Sequence, residues 1–256
     1  MVVLSKKNRV VKNSIFQKLI YMWKGEEKYD RRIGILQASI FACNIIITHN
    51  KKIIHKKVKK MRIISGKHKS RQLVTLEGLN TRPMTDRMKE SVFNTIGPYF
   101  EGDIVLDLFG GSGALALESI SRGCSFAYIV EKSYQAYKVI SNNVKLLNEE
   151  NNVRVYNSDY KVALNKFISE KKQFDIIFLD PPYRLNICEE IINTIIENDL
   201  LKEKGIIVAQ YVRGNFTPTE NQYFKIIKNY NFATSELCIF QKKDNEEVNN
   251  DSDNHW

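Results

Sequence analysis

The 256-residue chain is 43% hydrophobic, which suffices for one α/β domain with a substantial core plus appendages. Its net charge of +10 is uneven: residues 1–60 hold 15 Lys/Arg against 3 Asp/Glu, residues 61–243 hold 24 against 21, and residues 244–256 hold 5 acids and no Lys/Arg. The basic balance is therefore no argument for nucleic-acid binding by the central part, and the dispersed Cys43, Cys124, Cys188 and Cys238, with four scattered histidines, exclude a closely spaced metal or redox motif.

Residues 1–60 lack clear periodicity. Their most apolar stretch, Ile33 to Thr48, contains Gly34, Gln37, Ser39 and Asn44, too short and polar for a membrane span and too far in for a secretory signal. The expectation is a poorly ordered basic extension ending in a lysine-rich linker. An organelle-targeting segment and an RNA-binding arm are the alternatives. Residues 61–243 are expected to fold as one domain that includes a hairpin over 61–77. The Asn-rich acidic tail, 244–256, is expected to be disordered.

Within the folded part, Met61–Ser65 and Arg71–Glu77 read as two short strands around a Gly66–Ser70 turn. Thr85-Asp86 opens a helix to about Tyr99, with Val92, Phe93 and Ile96 on its apolar face. Five strands follow, at Ile104–Leu108, Phe126–Val130, Val153–Tyr156, Phe174–Leu179 and Gly205–Tyr211. The helices between them are expected at Gly113–Ser121, Ser133–Glu149, Tyr160–Glu170 and Asn186–Glu197. This alternation predicts a parallel sheet covered on both faces. Phe224–Tyr230 and Ser235–Lys242 have no helix between them and predict a terminal antiparallel hairpin, the usual methyltransferase variant of the doubly wound fold.

Two constellations carry the chemistry. The first is Asp107-Leu-Phe-Gly-Gly-Ser-Gly-Ala-Leu, after a buried-type strand and at a helix start. Ligands of open α/β sheets bind beyond the carboxyl ends of the strands, and glycines there admit a close backbone approach. A dinucleotide site would need a third glycine where Leu115-Ala116 stands, so the acidic residue and G-x-G turn fit S-adenosylmethionine (SAM) better than a pyrophosphate. Asp107 is expected to meet the methionyl ammonium. Glu131, ending the second strand, is expected to accept from the ribose hydroxyls. Asp159 is expected to face the adenine amine, to cap the following helix, or both.

The second constellation is Asp180-Pro181-Pro182-Tyr183, directly after the apolar strand at 174–179. The prolines stiffen the turn and remove its donors. What remains is rich in acceptors: the Asp180 carboxylate and the proline carbonyls. An exocyclic base amine presents two N–H donors and a delocalised lone pair. Fixed acceptors can orient it, so catalysis comes from positioning and electrostatics. Tyr183 offers a face for stacking the target base. Methylation at cytosine C5 would need a cysteine in this loop, and none is there.

With Met61-Arg-Ile-Ile-Ser-Gly, Thr81-Arg-Pro-Met-Thr-Asp-Arg-Met-Lys-Glu-Ser-Val-Phe-Asn, the glycine turn and Asp-Pro-Pro-Tyr, the chain resembles the RsmD family over about residues 61–243. The R-P-x-T-D-R segment is the selective part. The resemblance implies a Rossmann-like class I SAM-dependent methyltransferase acting on the N2 amine of a guanine in small-subunit (16S) ribosomal RNA, free or in a 30S assembly particle. It implies a cytoplasmic monomer needing neither metal nor membrane. It implies a cofactor lining of Asp107, Phe109, Gly110, Gly111, Gly113, Glu131, Lys132, Ser158, Asp159 and Thr85, with Asp180 through Tyr183 holding the guanine. Arg62, Lys67, Lys69 and Arg71, four cations in ten acid-free residues, suit phosphate contacts; Arg82 and Arg87 would border cofactor and RNA, and Thr85-Asp86 also fits a helix cap. The rivals are an adenine-N6 methyltransferase, which would usually carry a separate recognition domain, a non-catalytic RNA-binding assembly factor, and an NAD-linked oxidoreductase.

Overall fold

The computed structural model describes residues 61–76, 84–182, 185–232 and 235–243. The extension 1–60, the tail 244–256, Arg82 and Tyr183 lie outside the described residues.

Strands β1 (Met61–Arg62) and β2 (Gln72–Leu73) form a small antiparallel hairpin. Helix α1 (Asp86–Ile96) precedes β3 (Ile104–Asp107), α2 (Ala114–Ser121), β4 (Phe126–Glu131), α3 (Tyr134–Leu146) and β5 (Val153–Asn157). Then come α4 (Tyr160–Ser169), β6 (Phe174–Leu179), α5 (Cys188–Glu197), β7 (Leu201–Val212), β8 (Phe224–Asn231) and β9 (Ser235–Lys242). The seven-stranded sheet has the order β5-β4-β3-β6-β7-β9-β8. Its first five strands are parallel, and β9 inserts antiparallel between β7 and β8.

The two-residue period of the strands sorts their apolar side chains between the sheet faces. Val105, Ala127, Ile129 and Phe178 join the hairpin, α1, α2 and α3 in one cluster. Leu106, Val130, Ile177 and Leu179 join α4 and α5 in the other. Helix α1 begins where the Thr85 hydroxyl accepts from Met88 N–H at 3.2 Å. It ends at Gly97, before Pro98 and short of the expected Tyr99. Helix α3 is also shorter than expected: Ser133 is its cap, and the chain turns at Asn148, φ 56°.

The hairpin strands are only two residues long, against the five and seven read from the sequence. After β1 the reason is a carboxylate. The fully buried Glu118 of α2 accepts the backbone N–H of Ile64 at 2.7 Å and of Ser65 at 2.9 Å, so these donors leave the ladder. The same side chain pairs with Arg122 Nε at 2.8 Å, while the buried Lys89 Nζ donates to Arg62 O at 2.6 Å. Burial lowers the Lys89 pKa, against the pull of Glu118 and Asp86.

The hairpin turn is locked at the other end of α2. Lys67 N–H donates to Ser121 O at 2.8 Å and His68 N–H to Ser121 Oγ at 2.9 Å. Gly66, at φ +81°, packs so closely that a Cβ would lie 1.7 Å from the Ser121 carbonyl oxygen. Opposite, the buried Asn143 of α3 accepts from Val74 N–H at 2.8 Å and donates to Val74 O and Ser112 O, each at 2.9 Å.

Glu118→Ala leaves the buried Arg122 without its carboxylate and two hairpin N–H groups without an acceptor. It should destabilise the chain by about 3–5 kcal/mol in denaturant unfolding. A loss below about 1 kcal/mol, the range of an exposed ion pair, would show that Glu118 does not hold the hairpin.

Candidate active site

Parallel pairing brings the candidate residues to one edge. Asp107, the last residue of β3, lies opposite Phe178 of β6, and Leu108 N–H donates to Phe178 O at 3.1 Å. Asp180 therefore follows β6 directly beside the loop that leaves β3. The ends of β4 and β5 complete the edge with Glu131 opposite Asn157.

Asp107 is 1% exposed. Burial, and next the negative charge of Asp180, push its carboxyl up to about 7, although the Phe109 N–H at 3.4 Å favours the charged form. Asp180 keeps part of its surface open, yet the protein around its carboxyl also raises it to about 7 by desolvation. The two carboxyls share this edge of the sheet.

The glycine turn is held from three sides. Gly110 N–H donates to Val130 O at 2.9 Å, Gly111 N–H to Glu131 Oε2 at 2.9 Å, and Ser112 O accepts from Asn143. Gly111 and Gly113 adopt φ of 57° and 78°, which a side chain would strain, and Gly113 caps α2. A Cβ on Gly111 would meet only the Phe109 carbonyl oxygen, at 4.0 Å, so at this residue the turn presents bare backbone, while Gly110 packs closely on Ile129. Phe109 packs against Tyr160 at 5.5 Å and ties this loop to the one after β5.

Glu131 does more here than the sequence suggested. Besides Gly111, its other oxygen accepts Ser133 N–H at 2.7 Å, so the carboxylate shapes the glycine turn as well as facing the site. Its backbone carbonyl accepts from Ser158 N–H at 3.1 Å and from Asn157 Nδ2 at 2.9 Å. Asp159 caps α4 through Lys161 N–H at 3.0 Å and pairs with Lys132 at 3.0 Å; the Lys132 ammonium, followed by the Lys161 N–H, holds its carboxyl below the usual range. In the Asp-Pro-Pro turn Pro181 is buried and Pro182 exposed, and the Pro182 carbonyl accepts from Leu185 N–H at 2.8 Å.

The remaining candidates lie on the hairpin and at the start of α1. Thr85 is occupied as the α1 cap, and Arg87 is exposed on the first turn of α1. Arg62 pairs with Asp86 at 2.9 Å and Lys67 with Glu149 at 2.8 Å, while Lys69 and Arg71 are exposed. Sequence reasoning missed Glu118, Lys89 and Asn143. Their only signal was a polar residue on the buried face of a helix.

The family model described as "Conserved hypothetical protein 95" matches residues 61–241. The chain is 33% identical over 169 residues to Ribosomal RNA small subunit methyltransferase D of Escherichia coli (strain K12), covering 66% of this chain and 83% of that one. The chain belongs to this family of rRNA methyltransferases. A second member, named "Putative rRNA methyltransferase YlbH", from Bacillus subtilis (strain 168), is 37% identical over 183 residues, covering 72% of this chain and all of the relative. The family's α/β methyltransferase fold is shared by the solved structure described as "Putative methyltransferase yhhF from Escherichia coli", with TM-score 0.63, 31% identity, and 72% and 98% of the two chains covered. Among the described residues, no helix is long and apolar enough to cross a membrane.

The raised carboxyls give a signed expectation. Asp107 and Asp180 bind protons in the folded state up to about pH 7, whereas unfolded aspartates release them near about pH 4. Their contribution to stability is full below the unfolded value and is lost as pH rises through about 7. Without cofactor, Asp107→Asn should therefore gain stability relative to the parent chain between about pH 5 and about pH 8. Thermal melts at the two pH values check this, and parallel curves would contradict it.

Proposed function

We propose that this chain transfers the methyl group of SAM to the N2 amine of a guanine in small-subunit (16S) rRNA. The observation that carries the reading is the pair Asp107 and Asp180, held side by side by β3 and β6 at the mouth of a bare glycine turn. The residues present fit SAM: a cationic ligand relieves the two carboxylates, and the glycine turn admits a close approach. When bound, SAM supplies an electrophilic methyl carbon on a sulfonium. Asp107 is proposed to take the ammonium. Glu131 has both oxygens on turn N–H groups already, and their remaining lone pairs are proposed for the ribose hydroxyls. Phe109, Gly110, Gly111, Gly113, Lys132, Ser158 and Asp159 are proposed as the rest of the lining.

Asp180 is proposed to accept one N–H of the guanine amine and the carbonyl of Pro181 the other. Pro182 is the poorer acceptor, since its carbonyl faces Leu185 N–H. Two acceptors at fixed positions turn the nitrogen lone pair toward the methyl carbon and stabilise the positive charge that grows on nitrogen. With SAM bound, the sulfonium would supply the methyl group and keep the S–C electrons, and Asp180 or solvent would take the proton that the amine nitrogen sheds. Tyr183 is proposed to stack the guanine. The folded part is proposed to span 61–243, between a basic extension and an acidic tail, acting as a cytoplasmic monomer.

Asp180→Ala should lower transfer to rRNA or small-subunit particles by about 100-fold or more, while SAM binding is retained in calorimetry. Nucleoside analysis of the parent chain's product should give N2-methylguanosine. Finding N6-methyladenosine would overturn the guanine reading, and SAM binding without transfer would favour a non-catalytic assembly factor.

A further inference from the structure

Outside the site, one surface combines features that the proposed chemistry does not use. Residues 132–148, which contain α3, include no Asp or Glu, and neither do residues 61–76 of the hairpin. The two acid-free elements lie side by side. Asn143 of α3 bonds Val74 just after β2, and Glu149 beyond α3 pairs with Lys67 and His68 of the hairpin turn. Glu149 is 3% exposed, so the carboxylate nearest this seam is spent inside it; the exposed Glu150 follows at the far end.

The outward face of α3 is ordered. Ala136, Ile140, Asn143 and Val144 are its buried side. Tyr134, Lys138 and Lys145, at i, i+4 and i+11, fall on one stripe opposite. Tyr134 is 59% exposed, its ring stacks on Tyr137 at 6.1 Å and 17°, and the Lys138 ammonium lies 4.6 Å over it. The stripe starts three residues after Glu131, at the rim of the site. It runs about 16 Å along the helix, at about 1.5 Å per residue.

We propose that the outward face of α3 is a track for a single-stranded or looped segment of the substrate RNA, running from the Glu131 end of the site. The proposal rests on the rRNA reading above and adds where the strand runs. Spaced ammonium groups suit successive phosphates, and an exposed tyrosine suits an unstacked base. A strand on the track draws the Lys138 ammonium from the Tyr134 ring to a phosphate, and a base takes its place on the ring. The track extends the candidate phosphate contacts of the hairpin, Lys69 and Arg71, onto a second element.

The test uses the full-length chain as Lys138→Gln/Lys145→Gln and, separately, Tyr134→Ala. Binding to naked small-subunit rRNA and to small-subunit particles is measured across a salt series, with SAM affinity and a thermal melt as controls. The double variant should lower the slope of log Kd against log salt by about 0.7 per lysine on single-stranded RNA. Tyr134→Ala should weaken rRNA binding roughly five- to hundred-fold. SAM affinity and the melt should not move. Unchanged Kd and slope on rRNA, with the parent chain binding it, overturn the track alone. A loss seen with particles but not with naked rRNA also overturns it and points to a protein contact. A parent chain that neither binds nor methylates rRNA overturns the functional reading as well.

Discussion

The register between β3 and β6 decides most of what this molecule can do. It sets Asp107 opposite Phe178 and so brings Asp180, two residues on, beside the loop that leaves β3. Both strands are central and packed on both faces, which leaves the carboxylates little freedom to move apart. Each is pushed up to about 7, chiefly by desolvation. The proposed ligands, a sulfonium cofactor and an amine that becomes cationic as it is alkylated, suit two such carboxylates.

A second buried ionic group holds the small hairpin. Glu118, Arg122 and Lys89 lie beneath β1 and β2, and Glu118 spends both oxygens on hairpin N–H groups as well as on Arg122. Asn143 ties the same hairpin to Ser112 in the glycine turn. The hairpin, with its exposed Lys69 and Arg71, is therefore joined to the glycine turn. Where RNA and cofactor must meet within a fraction of an ångström, rigid elements serve better than a loose arm.

Much of this was legible in the residues. β6 and β9 were readable to the residue because their apolar runs end at sharp changes of composition, Asp-Pro-Pro after the first and the acidic tail after the second. β7 starts earlier than Gly205 because Leu201 pairs with Phe174, while Lys202, Glu203 and Lys204 hide the strand behind charge. The glycine turn and the Asp-Pro-Pro turn stood out because few other sequences suit those backbones. The interactions that position them did not. Glu118 sits in a run that reads as an ordinary helix, and its burial depends on hairpin amides distant in sequence. Glu131 read as a ligand contact because its grip on Gly111 needs the folded turn to exist first. Asp159 was readable both ways, and its capping and its pairing with Lys132 are what the structure displays.

A cation received by Asp107 and Asp180, as proposed, changes how many protons the pair holds. At about pH 7 each carboxyl is partly protonated without ligand, and a cationic cofactor favours the charged forms. Calorimetry of SAM binding in buffers of different ionisation enthalpy measures the protons exchanged. Release of a fraction of a proton or more is expected between about pH 6 and about pH 7, less in Asp107→Asn; toward about pH 8 the cofactor's own α-amino group, held as ammonium, takes protons up. Binding with no proton release between about pH 6 and about pH 7 would show that the two carboxyls do not receive the cation.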